Sequence, residues 1–303
     1  MLIRHSADAR PLPSKPYENQ LETIELEFLR ATVKELAVPR HYLAEPEGNR
    51  RARDYIREQL VAYGYTVSYA CECDNIVART DFDPSIPKIL IGAHYDSVPR
   101  SPGADDNASA VASLLAIARA LAPLRQQLPL VFVAFNREEE ALLGSRLFAD
   151  YLKVEKPFAV REAHILEMIG YTADASKQMK PPRLPIRLPE GASFLGLIAK
   201  SRSNRLIKPL LRTARTYLPE MPVSGLKILF GLDKYFTVLR RSDHSPLWDI
   251  GVPAIMWTDT SEYRNPNYHK PTDTPETLDY EFLRNVTKLL LAHVLSTAGG
   301  GAA

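Results

Sequence analysis

Cysteine is scarce in this sequence, with only Cys71 and Cys73 among 303 residues. A disulfide between them would be strained because a single residue separates them. We therefore expect two free thiols on one face of a strand. Without a disulfide framework, the sequence does not require an oxidising compartment.

Long apolar runs are also missing. No segment approaches the roughly 20 apolar residues that a membrane-spanning helix needs. The N-terminal stretch MLIRHSADARPLPSKP has no apolar run long enough for a signal peptide. We expect a cytoplasmic location without membrane contact, and a pre-sequence removed ahead of Met1 would change that expectation to secretion.

Neither sign of charge is in excess. Lys and Arg number 38, Asp and Glu number 36, and the formal net charge is +2. This balance gives no support for nucleic-acid or membrane-surface binding. The hydrophobic fraction of 45% suits a globular protein with a large core, and nothing indicates an oligomeric state.

What the chain does contain is an alternation of strand and helix patterns. The predicted strands are 65–70, 75–80, 88–94, 129–135, 161–167 and 253–258, and the predicted helices are 20–36, 49–63, 107–121, 141–152, 243–250 and 278–295. Such alternation predicts an α/β protein, a three-layer α/β/α sandwich around a mostly parallel mixed sheet. We expect one domain spanning residues 1–303.

Three segments depart from this alternation. Residues 1–15 predict a flexible arm, and the tail 299–303 (GGGAA) predicts disorder. Residues 172–236 begin with a proline-rich stretch, KPPRLPIRLPEG, which excludes regular structure, and then carry a helix pattern over 203–217. We interpret 172–236 as an insertion, which either covers a functional site or is a plain surface excursion.

Five side chains with metal-binding groups follow or end the predicted strands or stand at helix entrances. They are His94, Asp106, Glu139, Glu167 and His269. In open α/β sheets, ligands bind at the edge where the strands' carboxyl ends meet, so distant residues can converge there. Imidazole and carboxylate donors suit zinc, and one carboxylate can bridge two ions. The sequence therefore predicts a zinc site.

Two further carboxylates fit roles beside these ligands. Asp96 lies two residues after His94, on the same face of the strand. It can therefore accept a hydrogen bond from the second imidazole nitrogen and fix the tautomer of His94. Glu138, beside Glu139, is free to act as a general base.

Taken singly, each position has an ordinary structural explanation. His94 suits a buried core histidine, residues 138–140 a solvated helix start and residues 105–107 a helix cap. Glu167 is harder to explain in this way, because an unpaired buried carboxylate costs several kcal/mol. The occurrence of all of them together, in this order, favours the metal site.

The segments around these residues resemble metallopeptidase family 28, of clan MH, which contains di-zinc aminopeptidases and, more distantly, glutaminyl cyclases. The resembling segments are GAHYDSVPRSPGADDNASA, AFNREEEALLGS, ILEMIGY, SDHSPLWDIGVPA and YHKPTDTPETLD. They stand in family order over roughly residues 75–290, with the insertion least alike. The resemblance implies the zinc-exopeptidase (phosphorylase/hydrolase-like) fold.

The resemblance also implies two zinc ions and a role for each ligand. In the family pattern, His94 and Glu167 would hold one ion, Glu139 and His269 the other, and Asp106 would bridge them. Glu138 would be the general base. Where Glu167 stands, the family usually has aspartate, which leaves the metal spacing, the metal preference and the grip on the substrate amine in doubt.

The implied activity is that of a zinc exopeptidase, an aminopeptidase that acts on peptides or N-terminal amino-acid amides. A water between two close cations loses a proton near neutral pH, and the metal-bridging hydroxide attacks the carbonyl while Glu138 takes and returns the proton. Asp243, His244 and Tyr268 are candidates for contacts to the ligands or the substrate. The alternative interpretation is a helix N-cap at Ser242 with Asp243 in the first turn.

Three alternatives remain open. They are a glutaminyl-peptide cyclotransferase, another amidohydrolase on the same fold, and a binding module without catalysis. Tyr268 stands where glutaminyl cyclases carry a tryptophan before the last histidine, which favours the peptidases. All six ligand and base positions are filled, which favours an enzyme over a binding module. The preferred N-terminal residue and the native metal are not indicated.

Overall fold

The computed structural model describes residues 1–83 and 85–298; the tail 299–303, for which disorder was predicted, lies outside them. The strands are Leu2–His5 (β1), Thr66–Ala70 (β2), Asn75–Arg79 (β3), Lys88–His94 (β4), Leu130–Phe135 (β5), Val160–Leu166 (β6), Leu195–Lys200 (β7), Val223–Ile228 (β8) and Ala254–Thr258 (β9). The helices are Glu18–Leu21 (α1), Leu26–Leu36 (α2), Pro46–Ala62 (α3), Ala110–Leu121 (α4), Leu143–Val154 (α5), Asn204–Tyr217 (α6), His244–Asp249 (α7) and Tyr280–Ala298 (α8).

All nine strands form one mixed sheet in the order β1-β8-β7-β9-β6-β4-β5-β3-β2. The central strands β9, β6, β4 and β5 are parallel. All seven residues of β4 are buried, because a strand covered on both faces needs no alternation of polar and apolar residues. The carboxyl ends of these four strands therefore open on one edge of the sheet.

Helices cover both faces of the sheet. The larger apolar cluster packs α2, α3, α4, α6 and α8 against one face, and the smaller one packs α5 and α7 against the other. This is the predicted three-layer α/β/α sandwich, and the predicted fold class is confirmed.

One helical stretch is more apolar than the sequence analysis recognised. The stretch Ala104–Leu124 has the length and composition of a membrane-spanning helix. An 18-residue window within it has a mean hydropathy of 1.4, but 72% of this window is buried inside the fold. The helix α4 packs between β4, α2 and α8. A helix enclosed on several sides is apolar all round, so its composition follows from its place in the core. The expectation that no segment would reach this length was wrong.

The first residues are not wholly a free arm. Leu2–His5 pairs antiparallel with β8 and forms the edge strand of the sheet. The strand is short, and its alternate residues are exposed, as is usual for an edge. Its register depends on β8, more than 200 residues further along the chain, so local sequence gave no signal for it.

The predicted insertion 172–236 contributes two strands to the sheet. β7 and β8 are parallel neighbours within it, joined by the predicted helix α6, and β7 pairs antiparallel with β9. Each strand has only six residues, and β7 alternates buried and half-buried positions. The proline-rich stretch that precedes them obscured this βαβ unit. The stretch before β7, which contains a 3₁₀ turn at Ala175–Lys177, lies over the sheet face, where Leu184 joins the apolar cluster of Leu226 and Ile228.

The two cysteines are free, as expected. They do not lie on a strand, because β2 ends at Ala70 and residues 71–74 form the turn to β3. Positive φ angles at Cys71 and Asp74 close this turn.

Candidate metal centre

The five predicted ligands converge beyond the carboxyl ends of the parallel strands. His94 ends β4, Glu167 follows β6, Glu139 lies in the loop after β5, Asp106 lies in the helical turn before α4, and His269 lies in the loop after β9. Two groups of three donor residues could each hold an ion: His94 with Glu138 and Glu167, and Asp106 with Glu139 and His269. The sequence prediction thus selected residues that the fold brings together.

Asp106 stands between the two imidazoles. Its Oδ1 lies 3.3 Å from Nε2 of His94, and its Oδ2 lies 3.3 Å from Nε2 of His269. The two oxygens of one carboxylate therefore face different histidines, which is the geometry that a bridging ligand requires.

The other two carboxylates complete the two groups. Oε2 of Glu167 lies 3.5 Å from Nε2 of His94, and Oε2 of Glu139 lies 3.2 Å from Nε2 of His269. Ligands about 2.0–2.2 Å from a tetrahedral zinc ion are separated from each other by roughly 3.3–3.6 Å. The spacing of these side chains thus fits zinc, and the longer glutamate arm at position 167 reaches the site.

Glu138 lies next to this cluster at a greater distance. Its Oε2 is 4.0 Å from Nε2 of His94, longer than the separation of two ligands on one ion. The side chain is nonetheless buried against His94 and Glu167. This position suits a carboxylate that acts beside bound ions without holding one.

Asp96 has a second contact that the sequence did not reveal. Its carboxylate accepts hydrogen bonds from the backbone N–H groups of Glu138, at 3.1 Å, and Glu139, at 3.2 Å. The predicted contact to His94 is present as a 3.5 Å approach of Oδ1 to Nδ1, longer than an ordinary hydrogen bond. Asp96 therefore fixes the loop that carries two of the acidic residues and also faces the histidine.

The charges of the crevice are unbalanced without a cation. Burial raises the pKa of Glu138 well above its ordinary value and that of Glu139 to about 7. Burial also opposes ionisation of Asp106, but the two imidazoles outweigh it and hold that pKa below its ordinary value. Both ring nitrogens of His94 and Oε1 of Glu139 lack a hydrogen-bond partner among the described residues. Buried polar atoms are normally paired, and divalent cations would supply the missing partner.

The backbone around Asp106 is held by a neighbouring carboxylate. Asp273 accepts the N–H of Asp105 at 3.0 Å and that of Asp106 at 3.1 Å. The side chain of Asp105 points to other groups, accepting from Gly170 N at 2.9 Å and from Asn265 Nδ2 at 2.7 Å. Of the two adjacent aspartates, Asp106 alone faces the histidines, as the resemblance implied.

A buried arginine supports the same loop. Arg40 is fully buried and donates to the carbonyl oxygens of Tyr95, at 2.6 Å, Gly103, at 2.8 Å, and Pro102. Burial lowers its pKa, whereas the nearby charge of Asp106 favours the protonated form. Arg40 thus links the end of β4 to the turn of Asp106 and places a positive charge behind the acidic crevice.

The segment before α7 contributes to the site in a way that the sequence did not predict. Ser242 donates a hydrogen bond of 2.8 Å to Oε2 of Glu167, which orients that carboxylate. Asp243 is fully buried, and burial raises its pKa to about 7. The charges of His94 and Glu167 act on Asp243, so this residue lies near the cluster.

The two remaining candidates, Tyr268 and His244, lie in different surroundings. Tyr268 stacks on the ring of His269, with centroids 3.7 Å apart, and its hydroxyl accepts from Arg241 at 2.8 Å, so it lines the crevice. His244 does not. Its Nε2 contacts the carbonyl oxygen of Leu239 at 3.0 Å and its ring packs against Trp248, while burial lowers its pKa to about 4. The prediction that His244 contacts the ligands or substrate was therefore wrong, because the first turn of α7 points it into the core.

A third cluster of this type lies elsewhere, at Glu162, His164 and His293. Trp257 donates its indole N–H to Nδ1 of His164 at 3.2 Å. A neutral imidazole that accepts at Nδ1 carries its proton at Nε2, and that atom faces Glu162 at 3.6 Å. Nε2 of His164 therefore carries a proton and has no lone pair for a cation. This favours a buried polar network over a metal site.

This network makes a prediction about stability. Burial opposes ionisation of Glu162, but His164 and His293 outweigh it and lower the pKa from its ordinary value of 4.5. A carboxylate whose pKa is lowered by folding stabilises the fold at pH values above its ordinary pKa. This stabilisation is lost as the pH falls below that value. Glu162→Gln should lower the free energy of unfolding by about 2 kcal/mol at pH 7, with a smaller difference from the unaltered chain below pH 4.5. Urea unfolding at both pH values measures this, and equal stabilities at pH 7 would contradict it.

The chemistry of the main crevice defines a class of protein. Imidazoles and carboxylates at ligand spacing, beside a further buried carboxylate at the carboxyl edge of an α/β sheet, are what a metal-dependent hydrolase requires. The chain belongs to peptidase family M28, whose model matches residues 75–206 and 227–294. The resemblance noted from the sequence motifs is confirmed.

Similarity to individual proteins supports this family assignment. The chain is 33% identical to the Escherichia coli (strain K12) protein YfbL over 317 residues, which cover 94% of this chain and 91% of that protein. The LapA aminopeptidase of Legionella pneumophila has the same fold, with a TM-score of 0.75 at 20% identity, over 96% of this chain and 76% of that one. The zinc aminopeptidase BSAP of Bacillus subtilis matches with a TM-score of 0.54 at 25% identity, over 76% of this chain and 51% of that one. Glutaminyl cyclases are also among the structures that share the fold.

Proposed function

We propose that this protein is a di-zinc aminopeptidase. The observation that carries the proposal is the position of Asp106, whose two oxygens each lie 3.3 Å from a different imidazole. His94 and Glu167 would hold one ion with Asp106, and Glu139 and His269 the other. Because Asp106 would give one oxygen to each ion, the two ions would lie close together.

The residues around the ions would have different roles in hydrolysis. Zinc at this site would lower the pKa of water and polarise the scissile carbonyl. Glu138 accepts the proton of the attacking water on its carboxylate and returns it to the departing amine. Asp96 holds Glu138 in place through the backbone N–H that it accepts. Ser242 fixes Glu167 at its Oε2, so both carboxylates are oriented before substrate arrives.

An apolar cavity next to Glu167 and Tyr268 suits the side chain of the substrate's first residue. Its walls include Met179, Leu184, Ile186, Phe194, Leu239 and Met256. Four of these come from residues 179–194, in and around the proline-rich stretch before β7, so we propose that this part of the insertion covers the substrate site. A substrate amine placed near Glu167 would direct an apolar side chain into the cavity.

This geometry predicts a preference for large apolar N-terminal residues. Burying a leucine side chain instead of alanine adds roughly three carbon atoms, worth about 2 kcal/mol or roughly 30-fold in kcat/KM. We therefore expect leucyl- and methionyl-p-nitroanilide to be hydrolysed about 30-fold more efficiently than alanyl-p-nitroanilide. Spectrophotometric assays of purified, zinc-loaded protein give these ratios directly.

Blocked and glutaminyl substrates separate the alternatives. N-acetyl-leucyl-p-nitroanilide should not react, since an aminopeptidase requires a free amine, and rapid cleavage of it would indicate another amidohydrolase. Release of ammonia from an N-terminal glutaminyl peptide, without hydrolysis of the anilides, would indicate a cyclotransferase instead. Hydrolysis of none of these substrates by zinc-loaded protein would contradict the proposed function.

A further inference from the structure

A basic groove lies at the far edge of the sheet from β2, between the N-terminal segment and α6. Arg4, Arg10, Lys208, Arg212 and Lys227 line it, with Asp8 as the one carboxylate. Five cations against one anion leave a local net charge of +4, whereas the whole chain carries only +2. The groove therefore concentrates positive charge on one small part of the molecule.

These cations lack protein partners. Within residues 1–83 and 85–298, none of the five forms an ion pair with a carboxylate, and Nε of Arg212 is buried without a hydrogen-bond partner. Arginines elsewhere do pair, as Arg240 does with Asp233 and Asp249. Like charges that share a groove within about one Debye length repel each other, so an anion bound between them would relieve that repulsion.

The surface of α6 adds to the same field. The helix carries four basic residues, Arg205, Lys208, Arg212 and Arg215, and no acidic residue. Their spacing of three and four residues places them along one side of the helix. Ile207 and Leu211, on the neighbouring face of the helix, are buried and form the floor of the groove. The basic stripe is thus held rigidly beside Arg4 and Arg10.

The shape of the groove favours a small ligand. Its volume is about 700 Å³, within the range of about 300–1,000 Å³ typical of small-molecule sites. Guanidinium groups bind phosphate oxygens in pairs, and lysines add point charges. A concave site of this size suits a compact polyanion better than a flat bilayer or a duplex.

Most of the groove lies outside the part of the chain that the family model matches. Every residue that lines it, except Lys227, lies outside the two segments that the family model matches. On the sheet, the groove lies beside β1, four strands away from β6. It is therefore separate from the metal centre, and its occupant need not be a peptide.

From these observations we infer that the groove binds a small polyanion with several phosphate groups. Bound between β1 and α6, the polyanion would tie the N-terminal edge strand to the helix. A ligand that binds only the folded state raises the melting temperature. This inference is independent of the proposed peptidase activity.

Calorimetric titration of the zinc-loaded protein with inorganic triphosphate, at fixed ionic strength, tests the inference. We expect saturable binding that weakens at least tenfold in the double variant Lys208→Gln/Arg212→Gln. The matched control is Arg50→Gln/Arg57→Gln, which removes the same charge from exposed positions on α3 and should bind as the unaltered chain does. Any zinc that triphosphate chelates would be removed equally from both variants.

Three results would overturn the inference. They are no binding of triphosphate, equal weakening in the groove and control variants, and binding of an oligonucleotide or of phosphatidylglycerol vesicles without binding of triphosphate. Anilide hydrolysis by the groove variant should equal that of the control, which shows that the fold is intact. A rise in melting temperature with triphosphate, absent in the groove variant, would support the inference by a second measurement.

Discussion

Glu138→Gln is expected to lower kcat by about 1,000-fold while zinc stays bound. General acid–base catalysis contributes about 10²–10⁴-fold, and glutamine cannot take a proton from water. The substitution preserves side-chain size and leaves the backbone N–H bond to Asp96 in place. Because Glu138 Oε2 lies 4.0 Å from His94 Nε2, outside the spacing of ligands on one ion, metal binding should not depend on it. KM should change little, since the lost interaction belongs to the transition state.

Glu140→Gln is the matched control. Glu140 stands two residues further along the same loop, is 41% exposed, and contacts His41 at 3.0 Å. It should keep full activity and full zinc. Zinc per chain, measured by elemental analysis, and kcat with leucyl-p-nitroanilide would be determined for both variants. A Glu138→Gln enzyme within about fivefold of the normal rate would remove Glu138 from the mechanism.

The parts of the fold that the sequence predicted share one physical property. Strands such as β4 and β5 are buried on both faces and read as continuous apolar runs, so their helices and loops could be placed around them. The candidate ligands could be found because their donor groups are unusual at the ends of such strands. Their convergence then follows from the parallel sheet itself.

The parts that could not be predicted depend on distant partners. β1 pairs with β8, more than 200 residues away, and neither strand carries a strong local pattern. Arg40 resembles a surface residue in the sequence, yet it is buried by carbonyl groups of the loop at 102–103. Ser242 likewise looks like the start of a helix until its bond to Glu167 is seen. Such hydrogen bonds between side chains and remote groups have no periodic signature.

Asp106→Asn is expected to lower bound zinc from two ions per chain to one or none, and to lower kcat/KM by at least about 1,000-fold, since catalysis by the metal centre would be disrupted. Asn has one carbonyl oxygen where Asp106 has two, and its amide nitrogen does not serve as a zinc ligand. One of the 3.3 Å contacts to the two imidazoles must therefore lose its oxygen. Zinc stabilises the fold that binds it, so the melting temperature should fall as well. Elemental analysis and thermal unfolding, with and without a chelator, measure both effects.

Asp105→Asn separates the role of Asp106 from a general disturbance of the loop. Asp105 is the adjacent residue and is also buried, but its carboxylate accepts from Gly170 and Asn265 and does not face the histidines. The control should therefore keep its zinc even if it loses stability. Full zinc in Asp106→Asn, or equal loss in both variants, would exclude Asp106 as the shared ligand. One retained ion in Asp106→Asn would instead indicate a bridge, because the single carbonyl oxygen of Asn can complete only one of the two groups.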